Sequence, residues 1–291
     1  MREKKNSSYM IYAGITTLIW AAAFLFTQFA QESFSSQSIG LLRYLAASAV
    51  MLVILVVKRI GFPKWKDVPK FLLAGGIGFA FYVTAFNKSV ETINGATCSV
   101  ISQFIPILTA VCSSVFLREK ISVRGWLCIA MAFAGILVLA LWNGALSIKP
   151  GILWMLLAAV ALSIYNLLQR MFVRDYTPFQ VTAYCIFGGT LFLLLFLPGA
   201  VPEMKTASLV SWGAILYLGI LGGALGYVFW AKAFSLAERT SDVSNFMFAM
   251  PLLTSLIGFL VKGEVPGVET VIGGILIVGG MILFQLEKQK S

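Results

Sequence analysis

The side chains in this chain that could do chemistry are few and of a narrow kind. Gln103 lies three residues before Pro106, on nearly the same helix face, with Ser99 one turn earlier. Ser244 and Asn245 precede Pro251 in a comparable way. Tyr165 and Asn166 adjoin in the middle of another apolar run, and Trp20, Tyr82, Tyr227 and Trp230 add aromatic faces. A ring of Trp, Tyr, Asn and Gln suits an apolar or aromatic solute with a small polar head, because aromatic faces also attract ammonium ions. The same residues also fit plainer roles: hydrogen bonding between helices for Asn and Gln, and interfacial anchoring for Trp and Tyr. A proline inside a helix removes a backbone hydrogen bond. Pro106 and Pro251 are therefore expected to kink their helices, leaving carbonyls for a solute or a water, or serving packing alone.

The elements that carry these residues follow from composition. Of 291 residues, 59% are apolar and 12% are charged, against roughly 45–50% and ~25% in soluble domains. Long apolar runs fall at about 9–30, 38–57, 70–87, 95–117, 123–142, 151–171, 179–197, 210–231, 241–261 and 268–286. Each is near the ~20 residues that cross a bilayer as a helix, so the expected fold is an all-α integral membrane protein with ten transmembrane helices. The first run continues through Phe24–Phe29 past Ala21-Ala22-Ala23, and is expected to be a retained span instead of a cleaved leader.

The charges give an orientation. With the amino terminus placed in the cytoplasm, seventeen Lys and Arg fall in cytoplasmic segments and only Lys88, Lys149, Lys205 and Lys262 fall outside. This asymmetry is the positive-inside pattern, and it predicts both termini in the cytoplasm at the plasma membrane. The formal charge of +10 is thus an orientation feature, and nucleic acid is not expected as a partner because the basic residues are not gathered on one face. Arg43 is the exception, the one basic residue well within a run. It is expected to snorkel outward and to form a structural ion pair with Glu264 or Glu269, with a substrate carboxylate as the alternative partner.

A shift of 145 residues superimposes the third to fifth runs on the eighth to tenth. Gly78-x-x-x-Tyr82-Val83 falls on Gly223-x-x-x-Tyr227-Val228, Ser99 on Ser244, Pro106 on Pro251, Glu119 on Glu264, and Gly135 on Gly280. Each half holds five spans, an odd number, so the second copy is expected upside down, with units at 1–146 and 147–291. Inverted repeats suit secondary transporters, in which two similar halves exchange conformations around one central site. Glu119 and Glu264 then end equivalent spans at opposite faces and become capping or gating candidates.

Several short motifs resemble a known family. Ile19-Trp20-Ala21, Leu42-Arg43-Tyr44-Leu45-Ala46-Ala47, Pro106…Phe116-Leu117-Arg118-Glu119, Pro251…Gly263-Glu264 and Gly273-Gly274…Gly279-Gly280 look like the ten-span EamA-type exporters of the drug/metabolite transporter superfamily. Lys262 departs from the first copy, which has Leu117 there. The resemblance implies a cavity between two halves, lined by spans 1, 3, 4, 6, 8 and 9, with spans 5 and 10 peripheral. It also implies substrates among amino acids and other small metabolites, usually moved outward.

The missing residue types narrow the rest. The chain has no histidine, which removes the usual zinc ligand, the Ser-His or Cys-His pair and the neutral-pH proton shuttle. Cys98, Cys112, Cys128 and Cys185 lie in apolar runs without C-x-x-C spacing and read as small hydrophobes. Paired intramembrane aspartates are absent, so no enzyme, metal or cofactor is expected. Carboxylates lie only at span ends, Asp242 among them, which leaves proton coupling without an evident carrier. The leading expectation is a secondary transporter exporting a small metabolite by alternating access. A flippase for a lipid-linked precursor and a non-transporting receptor are the alternatives. Glycines in spans 5 and 10 serve either packing within a monomer or a homodimer.

Overall fold

The computed structural model describes residues 2–116, 121–142, 149–172, 175–236, 243 and 245–288. The regular structure of the described residues is helical, with no strand. In chain order the helices are α1 (Arg2–Gln31), α2 (Ser36–Val57), α3 (Trp65–Val90), α4 (Gly95–Phe116), α5 (Val123–Leu141), α6 (Pro150–Phe172), α7 (Pro178–Thr206), α8 (209–236), α9 (245–262) and α10 (Val268–Lys288). Seven of them, α1 to α4 and α6 to α8, are long and apolar enough to cross a membrane; α5, α9 and α10 carry shorter apolar stretches. Large apolar side chains face outward along them, among them Val57 at 74% exposure, Leu252 at 75% and Ile275 at 67%. Such a surface requires an apolar solvent. The protein is a multi-pass membrane protein.

The sequence marks the helix starts chemically. Ser35, Asn94, Ser122, Thr177 and Ser208 each accept a hydrogen bond from the backbone N–H three residues on, and Thr177 with Gln180 completes a capping box. At the end of α9, Gly263 takes the left-handed conformation (φ 68°) that glycine adopts without steric cost. One element exceeds expectation: the stretch after Phe196 continues as helix to Thr206 despite Pro198 and Pro202.

Five helices are interrupted, α7 by a 3₁₀ turn at Leu194–Phe196. Helix α3 widens into a π-helical stretch at Gly76–Phe81, and α8 does so at Tyr217–Leu225. Helix α4 breaks in a turn at Gln103 and Phe104, and α9 opens with a 3₁₀ segment, Asn245–Ala249. This corrects the expectation of mid-helix proline kinks. Pro106 and Pro251 each sit in the first turn of a new helical piece, where a missing N–H leaves no intrahelical bond unmade. The Ile105 carbonyl, just before Pro106, accepts hydrogen bonds from the hydroxyls of Ser163 (3.1 Å) and Thr109 (2.9 Å), which ties α6 to this turn of α4.

Helix pairs pack through small residues. Helix α3 lies against α6 and α7, while α8 lies against α1 and α2; α4 packs on α6, and α9 on α1. Pairs α5·α10, α4·α9 and α2·α7 complete the bundle. At α5·α10 the backbones come so close that a Cβ on Gly135 would lie 2.7 Å from the Gly273 carbonyl oxygen, and one on Gly280 would lie 2.8 Å from that of Cys128. These glycine faces are therefore used within one molecule.

Hydrogen bonds tie the connections together at both ends. At the end holding the α2–α3 and α6–α7 connections, the Tyr176 hydroxyl donates to Asp67 (2.9 Å) and accepts from the Lys64 backbone N–H (3.1 Å). Lys70 pairs with the same carboxylate at 2.8 Å. Partial burial of the Tyr176 hydroxyl, aided by its bond to Asp67, raises its pKa above the ordinary phenol value. At the opposite end, Glu203 accepts from the Ser35 backbone N–H (3.0 Å), and Ser211 Oγ lies 2.9 Å from both Phe29 O and Ser33 Oγ. These contacts join the α1–α2 connection to the region between α7 and α8.

Candidate functional site

Aromatic residues from α1, α2, α3, α6 and α8 meet in the middle of the bundle. The Trp20 indole donates its N–H to the carbonyl of Gly222 (3.0 Å), within the π-helical stretch of α8. Its ring lies 5.3 Å from those of both Tyr227 and Trp230. Phe79 of α3 connects three further rings, with centroids at 5.0 Å from Tyr165, 5.3 Å from Tyr44 and 6.0 Å from Tyr227. Tyr82 packs against both principal apolar clusters and lies 6.0 Å from Phe86, which in turn contacts Phe24 of α1. Glycine provides the room. A Cβ on Gly78 would clash with the Cγ edge of the Tyr165 ring, and one on Gly226 would lie 2.8 Å from the Trp20 indole nitrogen.

The residues expected from sequence separate into groups. Trp20, Tyr82, Tyr165, Tyr227 and Trp230 belong to the aromatic assembly. Asn166, one residue beyond Tyr165, reaches from α6 to α4, donating to the Thr109 hydroxyl at 3.3 Å; this is the interhelical role that was its alternative. Gln103 is buried at the break in α4. Ser99 is fully buried and spends its hydroxyl on the Ala96 carbonyl of its own helix (2.7 Å). The side chain of Asn245, together with Ser244 and Glu119, lies outside the described residues. Glu264 follows the Gly263 cap, with its backbone N–H bonded to the Gly258 carbonyl (3.3 Å).

Arg43 departs from expectation. It neither reaches the surface nor forms an ion pair among the described residues, where Lys70–Asp67 is the sole pair found. It is 8% exposed, its Nε has no hydrogen-bond partner, and its guanidinium carbon stands 5.3 Å over the Tyr44 ring. Tyr44 and Phe79 were not singled out in the sequence, though each adjoins a residue that was, Arg43 and Gly78 respectively. The Tyr165 hydroxyl is buried on the side of Thr182 of α7.

A cleft opens where α1, α4 and α9 end, on the same side as Glu203. Phe24, Gln28, Asn94, Thr254, Ser255 and Glu264 line it. Thr254 donates to the Ala21 carbonyl at 3.3 Å, one residue along from Trp20, so the floor of the cleft adjoins the aromatic assembly. The Oε1 atom of Gln28 is buried there without a partner. Among the described residues no group of three or more Cys, Asp or Glu is placed to hold a metal. Aromatic faces, a buried cation and unpartnered polar atoms can bind a small solute, and they offer no nucleophile–base pair.

The EamA-like transporter family model matches residues 7–141 and again residues 149–286. The chain belongs to the EamA-like transporter family. This EamA-like chain is 31% identical over 288 residues to the uncharacterized transporter YdfC of Bacillus subtilis, covering 99% of this chain and 94% of that one. It is 26% identical to a probable terminal-alkyne amino-acid exporter of Streptantibioticus cattleyicolor, covering 92% and 90% of the two chains. A solved protein crystal structure, 20% identical, has a TM-score of 0.66 over 98% of this chain and 99% of that chain, which gives the shared fold. The EamA-like protein is a small-molecule transporter, and its relatives carry transporter names, not enzyme names.

Proposed function

We propose that this EamA-like protein is a ten-span secondary transporter, built of two inverted five-helix repeats at 1–146 and 147–291, that exports a small metabolite across the plasma membrane. The substrate is an amino acid or a similar solute, bound at the aromatic assembly between the halves, and both termini are cytoplasmic. Trp20, Tyr82, Tyr165, Tyr227 and Trp230 form the binding surface, Gln103, Asn166 and Asn245 border it, and Glu264 lies on the exit side.

One observation carries this reading: most helix pairs, α4·α10 being an exception, recur when each helix is exchanged for the one five places along. The pairs α3·α6, α3·α7 and α4·α6 become α8·α1, α8·α2 and α9·α1, while α2·α7, α4·α9 and α5·α10 map onto themselves. The interruptions of α3 and α8 and of α4 and α9 follow the same exchange, as π-helical stretches in the first pair and breaks ahead of Pro106 and Pro251 in the second, while the 3₁₀ turn of α7 has no counterpart in α2. Such pairing supports two interchangeable arrangements around a fixed centre, the requirement for alternating access. The amino-acid substrate class and the outward direction are supported by the name of the Streptantibioticus cattleyicolor relative and by the resemblance of the motifs.

Flux through proteoliposomes tests it. A panel of labelled amino acids and small metabolites should include at least one solute moved by the folded protein, with flux lost in Trp20→Ala and Tyr227→Ala. Protein that stays folded and moves nothing from the panel would overturn the reading. Cells accumulating more of that solute when the protein is expressed would overturn the outward direction alone.

A further inference from the structure

Among the described residues Arg43 is a cation without a counter-ion in the interior of a membrane protein. A charge there is costly unless it is paired or meets a solute, so an intramembrane ionisable residue with no protein partner marks a functional position. The local geometry sharpens this. Arg43 is on α2, 8% exposed, with Nε unpartnered. Its guanidinium faces Tyr44, and its Nη2 lies beside Gly222, since a Cβ there would be 3.8 Å away. Gly222 is the residue whose carbonyl holds the Trp20 indole. The cation and the aromatic assembly therefore converge on the same π-helical turn of α8.

The geometry points to Arg43 as the anion-recognising residue of the transport site, taking a carboxylate of the solute while the faces of Trp20, Tyr227 and Trp230 take its apolar or ammonium part. A guanidinium offers a planar fork of donors that matches a carboxylate, which an ammonium cannot reproduce. Tyr165, whose ring meets Tyr227 through Phe79, backs this aromatic wall on the α6 side. The substrates are then carboxylate-bearing solutes, zwitterions included. Neutral or purely cationic molecules of the same shape are poor ligands. This rests on the transporter reading above.

The test uses full-length protein in liposomes and in detergent, with free amino acids and small mono- and dicarboxylic acids as probes, each beside its primary amide. Thermal stabilisation and flux are read for both members of each pair. The expected result is that at least one acid binds and moves, while its amide is weaker by about 10-fold or more, the range of a lost charge-assisted hydrogen bond. In R43Q the discrimination between acid and amide should disappear, and R43K should recover part of it. An amide that binds as well as its acid, or discrimination that survives in folded R43Q, would overturn the assignment and leave the transporter reading intact; so would flux confined to neutral or cationic solutes. The acid–amide comparison on unaltered protein decides the matter even if R43Q does not fold. Absence of flux for every solute of a wider metabolite panel would bring down the transporter reading and this inference with it.

Discussion

Two large aromatic side chains are seated on glycines, and this sets the shape of the centre. Tyr165 of α6 rests on Gly78 of α3, and Trp20 of α1 rests on Gly226 of α8 and donates to the Gly222 carbonyl. Gly78→Ala should displace the Tyr165 ring or separate α3 from α6, at a cost of roughly 1–3 kcal/mol. Gly222→Ala has only ordinary contacts, the nearest at 3.8 Å, and should leave the melting temperature within a degree or two. Equal losses in the two variants would show that the ring does not depend on Gly78. Aromatic residues of this kind are legible in a sequence, because size and repeat position single them out. Where a polar side chain aims is not. Ser99 turns onto its own helix, as helical serines often do, and Arg43 points inward because α8 presents Gly222 beside it, a contact between residues far apart in the chain. The apolar patterning placed Arg43 in α2 and could not give its direction.

At the scale of elements, most of the apolar runs match a helix to within about a turn and a half, since hydrophobic length and Ser, Thr or Asn caps define both, and α7 alone overruns its expected end by more than that, continuing from 197 to Thr206. The interruptions were not legible. A π-helical stretch leaves no mark in apolar periodicity, and Gly76 and Gly222 within these stretches read equally as packing residues. The prolines were legible as breakers, but their consequence was misplaced by a turn: they start helical pieces and do not bend continuous ones. Pro106→Ala and Pro251→Ala should therefore change stability by no more than about 0.5–1 kcal/mol, whereas straightening of a true kink would alter packing along the whole span. A loss above about 3 kcal/mol in thermal unfolding would restore the kink. The α5·α10 contact allows a sharper contrast. Gly280→Ala places a methyl 2.8 Å from a backbone oxygen, whereas Gly279→Ala meets only the flexible end of Met131 at 3.2 Å. The first should lower the melting temperature clearly more than the second, with no change in the mass measured by light scattering in detergent. A change in oligomeric state would instead assign these glycines to a contact between copies.

For the whole molecule, the hydrogen bonds at the two ends bear on which side the centre can face. Each set joins the connection between two helices of one half to a region of the other: residues near Lys64 to Tyr176 at one end, Ser33 and Ser35 to Glu203 and Ser211 at the opposite end. In the proposed exchange of halves, opening at one end breaks one set and leaves the other closed. Because the raised pKa of Tyr176 keeps its phenol protonated well above neutrality, its bond to Asp67 does not depend on pH between 5 and 8, and mutation is the means of weakening it. Tyr176→Phe removes one donated and one accepted bond. At about 0.5–1.5 kcal/mol net for each of the two hydrogen bonds, the population open at that end should rise by roughly 5- to 150-fold. Ser211→Ala should act in the opposite sense at the other end. A reporter cysteine at Asn166, half-buried beside the centre, placed in a background whose four native cysteines are replaced by alanine, reads both effects through a membrane-impermeant maleimide. Tyr176→Phe should speed labelling from the Lys64 side and slow it from the Glu203 side, and Ser211→Ala should reverse that pattern. Labelling that rises from both sides at once in either variant would mean that the two sets are independent clasps, and the two halves would not exchange as a unit.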